Sequence, residues 1–387
     1  MIYEIGTRTK VIFGVGAFDQ LGERARMRGK KALLVSYKGF LEAQGLAERI
    51  DSLLRDANVE YVQFDEVTPE PDCSVPEKGR DALKEHGCDM VIAVGGGSVL
   101  DTGKHIALLA ANGGTCGDFL DPAKILFPSL PLLAVPTTAG TGSEVTMYAV
   151  FSDKKQKRKF TIKSEMVCPW LALVDPLLTV NLPKGITGAT GLDALVHCIE
   201  GYLNTQSSLY SKTLALLGMR IILTTLPKVF GHPEDVVSRE QMMLAGTIGG
   251  LVITNARTGV VHTMSAAMEP HGALSHGEVV GRILPHVLKF YREQNAGTQE
   301  MREMHHYVYG ESISDSAVFI EHIEGFVKDV AGTLSLEDQR FSPDLKNWFV
   351  ERVLMDKGLP GVSLVPIEAS MLQRLLEEVC KWRDEIP

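Results

Sequence analysis

The run Thr190-Gly-Leu-Asp-Ala-Leu-Val-His-Cys-Ile-Glu-Gly-Tyr202 sets a carboxylate, Asp193, four residues before an imidazole, His197, among Leu192, Ala194, Leu195, Val196, Cys198 and Ile199. A helix turns by about 100° per residue, so a spacing of four stacks the two groups on one face. A carboxylate on a buried apolar helix needs a partner, because burying an unpaired charge is costly. Two arrangements supply one. Thr190, three residues before Asp193, can close a capping box at a helix N-terminus, leaving His197 as a core histidine. Alternatively, the pair ligates a metal ion. Downstream lie His262, His271, His276 and His286, and one carboxylate with three imidazoles suits a divalent transition metal.

A second chemical signal is Val91-Ile-Ala-Val-Gly-Gly-Gly-Ser-Val-Leu-Asp-Thr-Gly-Lys104, with Gly95, Gly96 and Gly97 between a buried strand pattern and a helix start. Backbone amides at such a turn face an anion, and the helix N-terminus adds partial positive charge, so the loop suits a pyrophosphate. A plain strand-to-helix turn, with Ser98 and Asp101 as a capping box, is the alternative reading, and the two are compatible. An earlier run, Phe13-Gly-Val-Gly-Ala-Phe-Asp19, half matches a dinucleotide fingerprint. It lacks the third glycine and a suitably placed acidic residue, so it carries little weight.

The order and spacing of these motifs resemble the iron-containing (group III) alcohol dehydrogenase family, over the chain from the first strand to about Tyr291. In that family an Asp and a His on one helix, and two more histidines fourteen residues apart, hold the metal; His262 and His276 have that separation. The resemblance therefore implies Asp193, His197, His262 and His276 as ligands, with Fe2+ expected and Zn2+ possible. It also implies that Gly95, Gly96, Gly97, Ser98 and Asp101 serve the cofactor. In the loop Pro136 to Thr146, Thr137, Thr138 and Thr146 would hydrogen-bond it, and Lys159 would reach the nicotinamide ribose.

Three positions depart from the family pattern. Ala266 stands where the family commonly has a histidine four residues after the ligand matched by His262, a candidate proton relay near the nicotinamide. His271 is the substitute in view, or else it fills the space of an aromatic ring or recognises substrate; a neutral imidazole exchanges protons near neutral pH. Tyr37 ends the strand beginning at Lys31, where NAD-preferring members carry an Asp. Without that Asp a barrier to the 2′-phosphate is lost, and Lys38 could attract the phosphate, so NAD or NADP is expected to serve. Arg257 stands where small residues are usual.

The implied function is metal-dependent NAD(P) oxidoreduction of a primary or small alcohol and its aldehyde or ketone. The rival readings are a metal- and NAD-dependent lyase resembling dehydroquinate synthase, and a catalytically weak binding protein on the same fold. A sugar phosphate would need many cationic and amide groups, and Asn255 to His276 offers little beyond Arg257.

The 387 residues carry a net charge of -9 and a pI near 5.7, which argues against a nucleic-acid footprint or an anionic membrane partner. Six scattered cysteines without a C-x-x-C fit reduced thiols. With no leader pattern and no apolar stretch of spanning length, a cytoplasmic protein is expected; the family resemblance implies a homodimer. Strand patterns at Lys31 to Ser36, Val59 to Phe64, Asp89 to Val94 and Pro131 to Pro136 alternate with helices at Leu41 to Asn58 and Pro76 to His86, the signature of a mostly parallel sheet. Met147 to Ser152, Lys159 to Ile162 and Leu171 to Val174 read as antiparallel additions. From near Asp175 to the end the periodicity is helical. The expected architecture is an α/β dinucleotide-binding domain over 1–180 and an all-α metal-binding domain over 181–387, as in dehydroquinate synthase-like folds, with the metal facing the cofactor between them.

Overall fold

The computed structural model describes residues 2–154, 156–271, 274–331 and 343–384, and the chain divides into two compact units. One comprises Gly6–Leu182 with Pro233–Met243. The other comprises Pro183–His232 and the chain from Leu244 onward, with the residues up to Ile5.

The strands of the first unit are β1 (Lys10–Phe13), β2 (Lys31–Tyr37), β3 (Glu60–Val67), β4 (Met90–Gly95), β5 (Leu132–Pro136), β6 (Tyr148–Asp153), β7 (Arg158–Lys163) and β8 (Leu171–Val174). Six of them form one sheet in the order β1-β8-β5-β4-β2-β3, with every neighbouring pair parallel. The antiparallel expectation holds for β6 and β7, which form a two-stranded sheet of their own, and fails for β8. That strand is buried along its whole length and runs parallel between β1 and β5. A short strand covered on both faces belongs in the interior of a parallel sheet rather than at an added edge.

Helices α1 (Leu21–Arg26), α2 (Phe40–Ala43), α3 (Ala47–Asp56), α4 (Ser74–Glu85) and α5 (Gly97–Asn112) complete this unit. The helix expected over Leu41 to Asn58 is broken because Gly45 takes a φ of 66°, a left-handed turn that ends α2. Side chains alternate across the strands. Leu34, Ile92, Val94, Leu133 and Val135 pack with Phe18, Leu21, Ile50 and Leu54 of α1, α3 and the turn before them. Leu33, Val35, Val91, Ala93 and Ala134 pack with Leu83, Leu100 and Ile106 of α4 and α5. From β2 the chain moves outward to β3, whereas from β4 it moves the other way to β5. The carboxyl ends of β2 and β4 therefore flank a topological switch point, the position at which open α/β sheets bind ligands.

The second unit is helical: α6 (Lys184–Leu203), α7 (Leu209–Gly231), α8 (Val236–Ala256, from Leu244 on), α9 (Val260–Met268), α10 (His276–Glu293), α11 (Thr298–Tyr309), α12 (Ala317–Ala331), α13 (Pro343–Leu354) and α14 (Ala369–Asp384). Every residue of α6 from Gly191 to Leu203 is buried, as expected of a helix that is apolar all round. Glycines let its neighbours approach: a Cβ at Gly218 would meet Cys198, and one at Gly201 would meet Val252. Contrary to the sequence reading, α7 is, by length and composition alone, apolar enough to cross a bilayer. It packs against α6 and α11, and burial at Ala215, Met219, Ile222 and Leu226 follows the helical repeat of a core-facing stripe.

One buried base in the first unit has a measurable consequence. His105 of α5 is fully buried, edge-on to Phe151 at 5.4 Å. Burial pulls its pKa down to about 4, against the opposing pull of Asp101. The unfolded chain binds this proton near pH 6.5. Between the two values the unfolded form carries a proton that the folded form lacks. Stability is therefore full above about pH 6.5 and falls as pH drops toward 4, by up to about 3 kcal/mol. Urea midpoints at about pH 7.5 and pH 4.5 measure the drop. His105→Leu should narrow the gap between the midpoints, and an unchanged gap would exclude this residue as a source of acid sensitivity.

Candidate metal centre and nucleotide loops

α6 starts at Lys184, directly after Pro183, so Thr190 lies inside the helix. Its hydroxyl donates to the Ile186 carbonyl, and no capping box with Asp193 forms. Asp193 and His197 sit in the fully buried stretch, their side chains 3% and 5% exposed. The partner the carboxylate needs comes from three rings. His197 Nε2, His262 Nε2 and His276 Nε2 lie 3.4, 3.5 and 3.3 Å from the same oxygen, Asp193 Oδ1. His197 stacks on His262 with ring centres 4.7 Å apart and planes 11° off parallel, and His262 meets His276 at 5.4 Å. Asp193, His262 and His276 offer ligand atoms within 4.8 Å of one another. His197 enters by its contact with Asp193 and its stack on His262.

Two helix starts place the later histidines. α9 begins where Glu200, one turn beyond His197 on α6, catches it. Glu200 accepts from the Gly259 amide at 2.9 Å, the Val261 amide at 2.6 Å and His262 Nδ1 at 2.6 Å. A carboxylate at a helix N-terminus satisfies orphan amides and meets the positive end of the dipole. Because this carboxylate already accepts two amides, the His262 ring donates from Nδ1 and its Nε2 lone pair faces Asp193. α10 starts with a capping box between Ser275 and Glu278, which fixes His276 in the first turn. Next to it, a Cβ at Gly277 would fall 1.8 Å from the Ala189 carbonyl oxygen. Only glycine lets α10 seat on the α6 backbone closely enough to bring His276 to Asp193. His276 Nδ1 lies 2.6 Å from Glu269, a carboxylate with no exposed surface.

The electrostatics favour a cation. Burial pushes the Asp193 carboxyl up, yet the surrounding imidazoles of His197, His276 and His262 hold it well below the usual carboxylate range. Desolvation would lower His276, but Glu269 and Asp193 lift it to about 10. His197, buried beside two other rings, falls to about 4. Among the described residues Asp193 Oδ1 and His262 Nε2 are buried without a hydrogen-bond partner, two orphaned acceptors that a divalent ion converts into ligands. The residues present fit such an ion.

In the first unit, β4 and β5 run side by side, with Gly95 opposite Pro136, so the glycine loop and the threonine loop leave from neighbouring strand ends. A Cβ at Gly97 would sit 2.8 Å from Thr141 Cγ2, and one at Gly96 would sit 3.2 Å from Thr138 Cγ2. Gly96 is the N-cap of α5 and no side chain caps that end, so the Ser98 and Asp101 capping box is absent. Asp101 instead takes the Ser143 hydroxyl at 2.6 Å and the Val150 amide at 3.1 Å. Thr146 accepts from the fully buried Lys104 at 3.0 Å. Thr137 is buried, its amide bonded to the Gly95 carbonyl. Burial raises the Tyr37 hydroxyl above its ordinary pKa, with Ser98 pulling it back, whereas Lys159 on β7 pairs with Glu70 at 3.0 Å. The backbone of His271 closes a short 3-10 turn, Glu269–His271; its side chain lies outside the described residues. Ala266 is exposed.

The half-matching earlier glycine turn is already filled. Asp175, fully buried, accepts from the Gly16 and Phe18 amides at 3.0 and 3.2 Å, so an internal carboxylate occupies the place of a phosphate. The sequence reading missed Glu200 and Glu269. Glu200 was visible in principle: Asp193, His197 and Glu200 follow i, i+4, i+7 on one helical face. Glu269 has no such periodic signal.

The family model described as iron-containing alcohol dehydrogenase matches residues 8–176, and the model of that family's C-terminal part matches 187–377. The chain belongs to the iron-containing alcohol dehydrogenase family. The match runs well past Tyr291, where the sequence motifs give out. An NAD-dependent methanol dehydrogenase of Bacillus methanolicus is 36% identical over 279 residues, 72% of this chain and 73% of that protein. A 1,3-propanediol dehydrogenase of Citrobacter freundii is 34% identical over 280 residues, 72% of each. A crystal structure of a 1,3-propanediol oxidoreductase superposes with a TM-score of 0.89 at 26% identity, covering 98% of this chain and 100% of the other. Membership makes this chain an iron-type, nicotinamide-dependent alcohol dehydrogenase, and favours that reading over the lyase.

Proposed function

We propose that the chain interconverts a small primary alcohol and its aldehyde, with NAD and also NADP as cofactor, at a metal held by Asp193, His197, His262 and His276. The observation that carries this reading is the convergence of three Nε2 atoms within 3.3 to 3.5 Å of one buried carboxylate oxygen. Fe2+ is the family expectation and Zn2+ suits the same donors. When bound, the metal supplies Lewis-acid polarisation of the alcohol or carbonyl oxygen, and the nicotinamide supplies or accepts the hydride. The chain's own residues fix the geometry. Glu200 holds the His262 ring, and the Gly277 contact seats His276. Gly95, Gly96, Gly97 and Ser98 offer the uncapped α5 N-terminus to the pyrophosphate. Thr137, Thr138, Thr146 and Lys159 complete the cofactor seat, and Asp101 braces the threonine loop through Ser143. Relatives named for methanol and 1,3-propanediol support a short-chain substrate.

In this reading residues 1–180 carry the cofactor and 181–387 the metal. His271 carries the substrate proton where the family's usual histidine is replaced by Ala266. The assembly is a homodimer, as the family resemblance implies. Cys73, Cys88, Cys116, Cys168 and Cys198 form no disulfide, which supports a reducing, cytoplasmic setting.

Three measurements test the assignment. His262→Ala should lose bound metal and turnover while near-UV circular dichroism stays native; full metal occupancy in that variant would remove the ligand assignment. Tyr37→Asp should raise the NAD over NADP ratio of kcat/KM by roughly tenfold or more, since a carboxylate repels the 2′-phosphate; an unchanged ratio would mean selectivity resides elsewhere. His271→Phe should remove a limb near neutrality from the pH profile of kcat/KM, and a parent-like profile at full activity would exclude the relay.

A further inference from the structure

Glu269 ends α9 seven residues before His276, and its side chain is completely buried. Three polar groups close on each other there. The Ser265 hydroxyl donates to Glu269 Oε1, the same oxygen lies 2.6 Å from His276 Nδ1, and Ser265 Oγ is 3.3 Å from that ring nitrogen. Ser265 sits one helical turn before Glu269 and is itself fully buried. A carboxylate placed this way is expensive unless its partners are fixed.

We propose that Glu269 is a positioning residue for the metal site, doing for His276 what Glu200 does for His262. In the neutral ring that ligation requires, with Nδ1–H given to Glu269, the His276 lone pair is on Nε2, the nitrogen 3.3 Å from Asp193 Oδ1. The ring is thereby held in one tautomer and one orientation, and it becomes a more basic ligand. The arrangement is two-sided. His262 and His276 each lean on a separate buried carboxylate, one on α6 and one at the end of α9. Nδ1 of His197, by contrast, is buried with no hydrogen-bond partner. Two added negative charges behind the ligands also favour a divalent cation over a less charged occupant. His276 has the ring most open to solvent, 37% exposed against 11% for His262, so it gains most from a brace that restricts its rotation.

This inference rests on the metal-site reading, and the test separates the two. Metal-free protein is titrated with Zn2+ and with Co2+ against a competing chelator, for the parent, Glu269→Gln, Glu269→Leu and Asp193→Ala. Glu269→Leu should weaken binding by roughly 10- to 100-fold and shift the d–d absorption of the Co2+ form. Glu269→Gln should fall between, because its amide oxygen still accepts from Nδ1 but brings no charge. If Glu269→Leu does not fold, Glu269→Gln carries the comparison. Parent affinity together with parent Co2+ bands in the Glu269 variants, while Asp193→Ala loses the metal, overturns the role of Glu269 alone. Parent affinity in Asp193→Ala overturns the metal-site reading itself.

Discussion

The burial of the Asp193 carboxylate is the constraint around which the helical unit is arranged. It lies on a helix whose residues from Gly191 to Leu203 are all buried, where an ion left alone would cost several kcal/mol even after relaxation. The fold answers by bringing helix starts to it. α9 is delivered by Glu200 capping its first amides, and α10 by the capping box at Ser275 and the glycine contact with Ala189. His262 and His276 are therefore each positioned by the feature that begins their helix, while His197 rides in the interior of α6. A helix start is a more exact anchor than a loop, because the capping groups fix its register as well as its direction.

Carboxylates recur as the means of fixing backbone and rings. Glu200 caps α9, Glu269 holds His276, Asp101 ties α5 to the threonine loop and to β6, and Asp175 fills the first glycine turn. In each case the acceptor sits where orphan amides or an imidazole N–H would otherwise be stranded. Lys104 is the cationic counterpart. Fully buried, it reaches Thr146 Oγ1 and the Tyr148 carbonyl, with Asp101 3.5 Å away. The turn between β4 and α5 and the threonine loop beside it are thus locked from behind by buried polar residues.

Much of this was legible in the sequence, and the gaps have physical causes. Apolar runs located β2, β4 and β5, because a strand buried on both faces has few polar positions to confuse the pattern, while the edge strand β3 showed by alternation of apolar and polar residues. The period of four exposed Asp193 and His197, and the apolar repeat marked the chain beyond Asp175 as helical. The direction of β8 was not legible, since periodicity records burial and not the path taken to reach the sheet. The break between α2 and α3 depended on one glycine at positive φ. The helix α11 carries the weakest such repeat, because only Met301, Met304, His305 and Val308 are buried in a polar stretch. Within the site, spacing along α6 was readable, but the meeting of Glu269 with His276 depends on a turn whose geometry no period encodes.

The two glycine turns show why a motif needs its surroundings before it means anything. Both follow a parallel strand, and both present backbone amides. At Gly16 and Phe18 the amides are already bonded to Asp175, so a phosphate would have to displace a buried carboxylate and strand it. At Gly96 no side chain caps the helix, the threonine loop packs so closely that a Cβ at Gly97 would strike Thr141, and the turn stands at the switch point of the sheet. There an anion gains a helix N-terminus with nothing to evict. The same local chemistry is thus spent on folding in one turn and left without a side-chain cap in the other, and what decides between them is a single aspartate more than a hundred and fifty residues away.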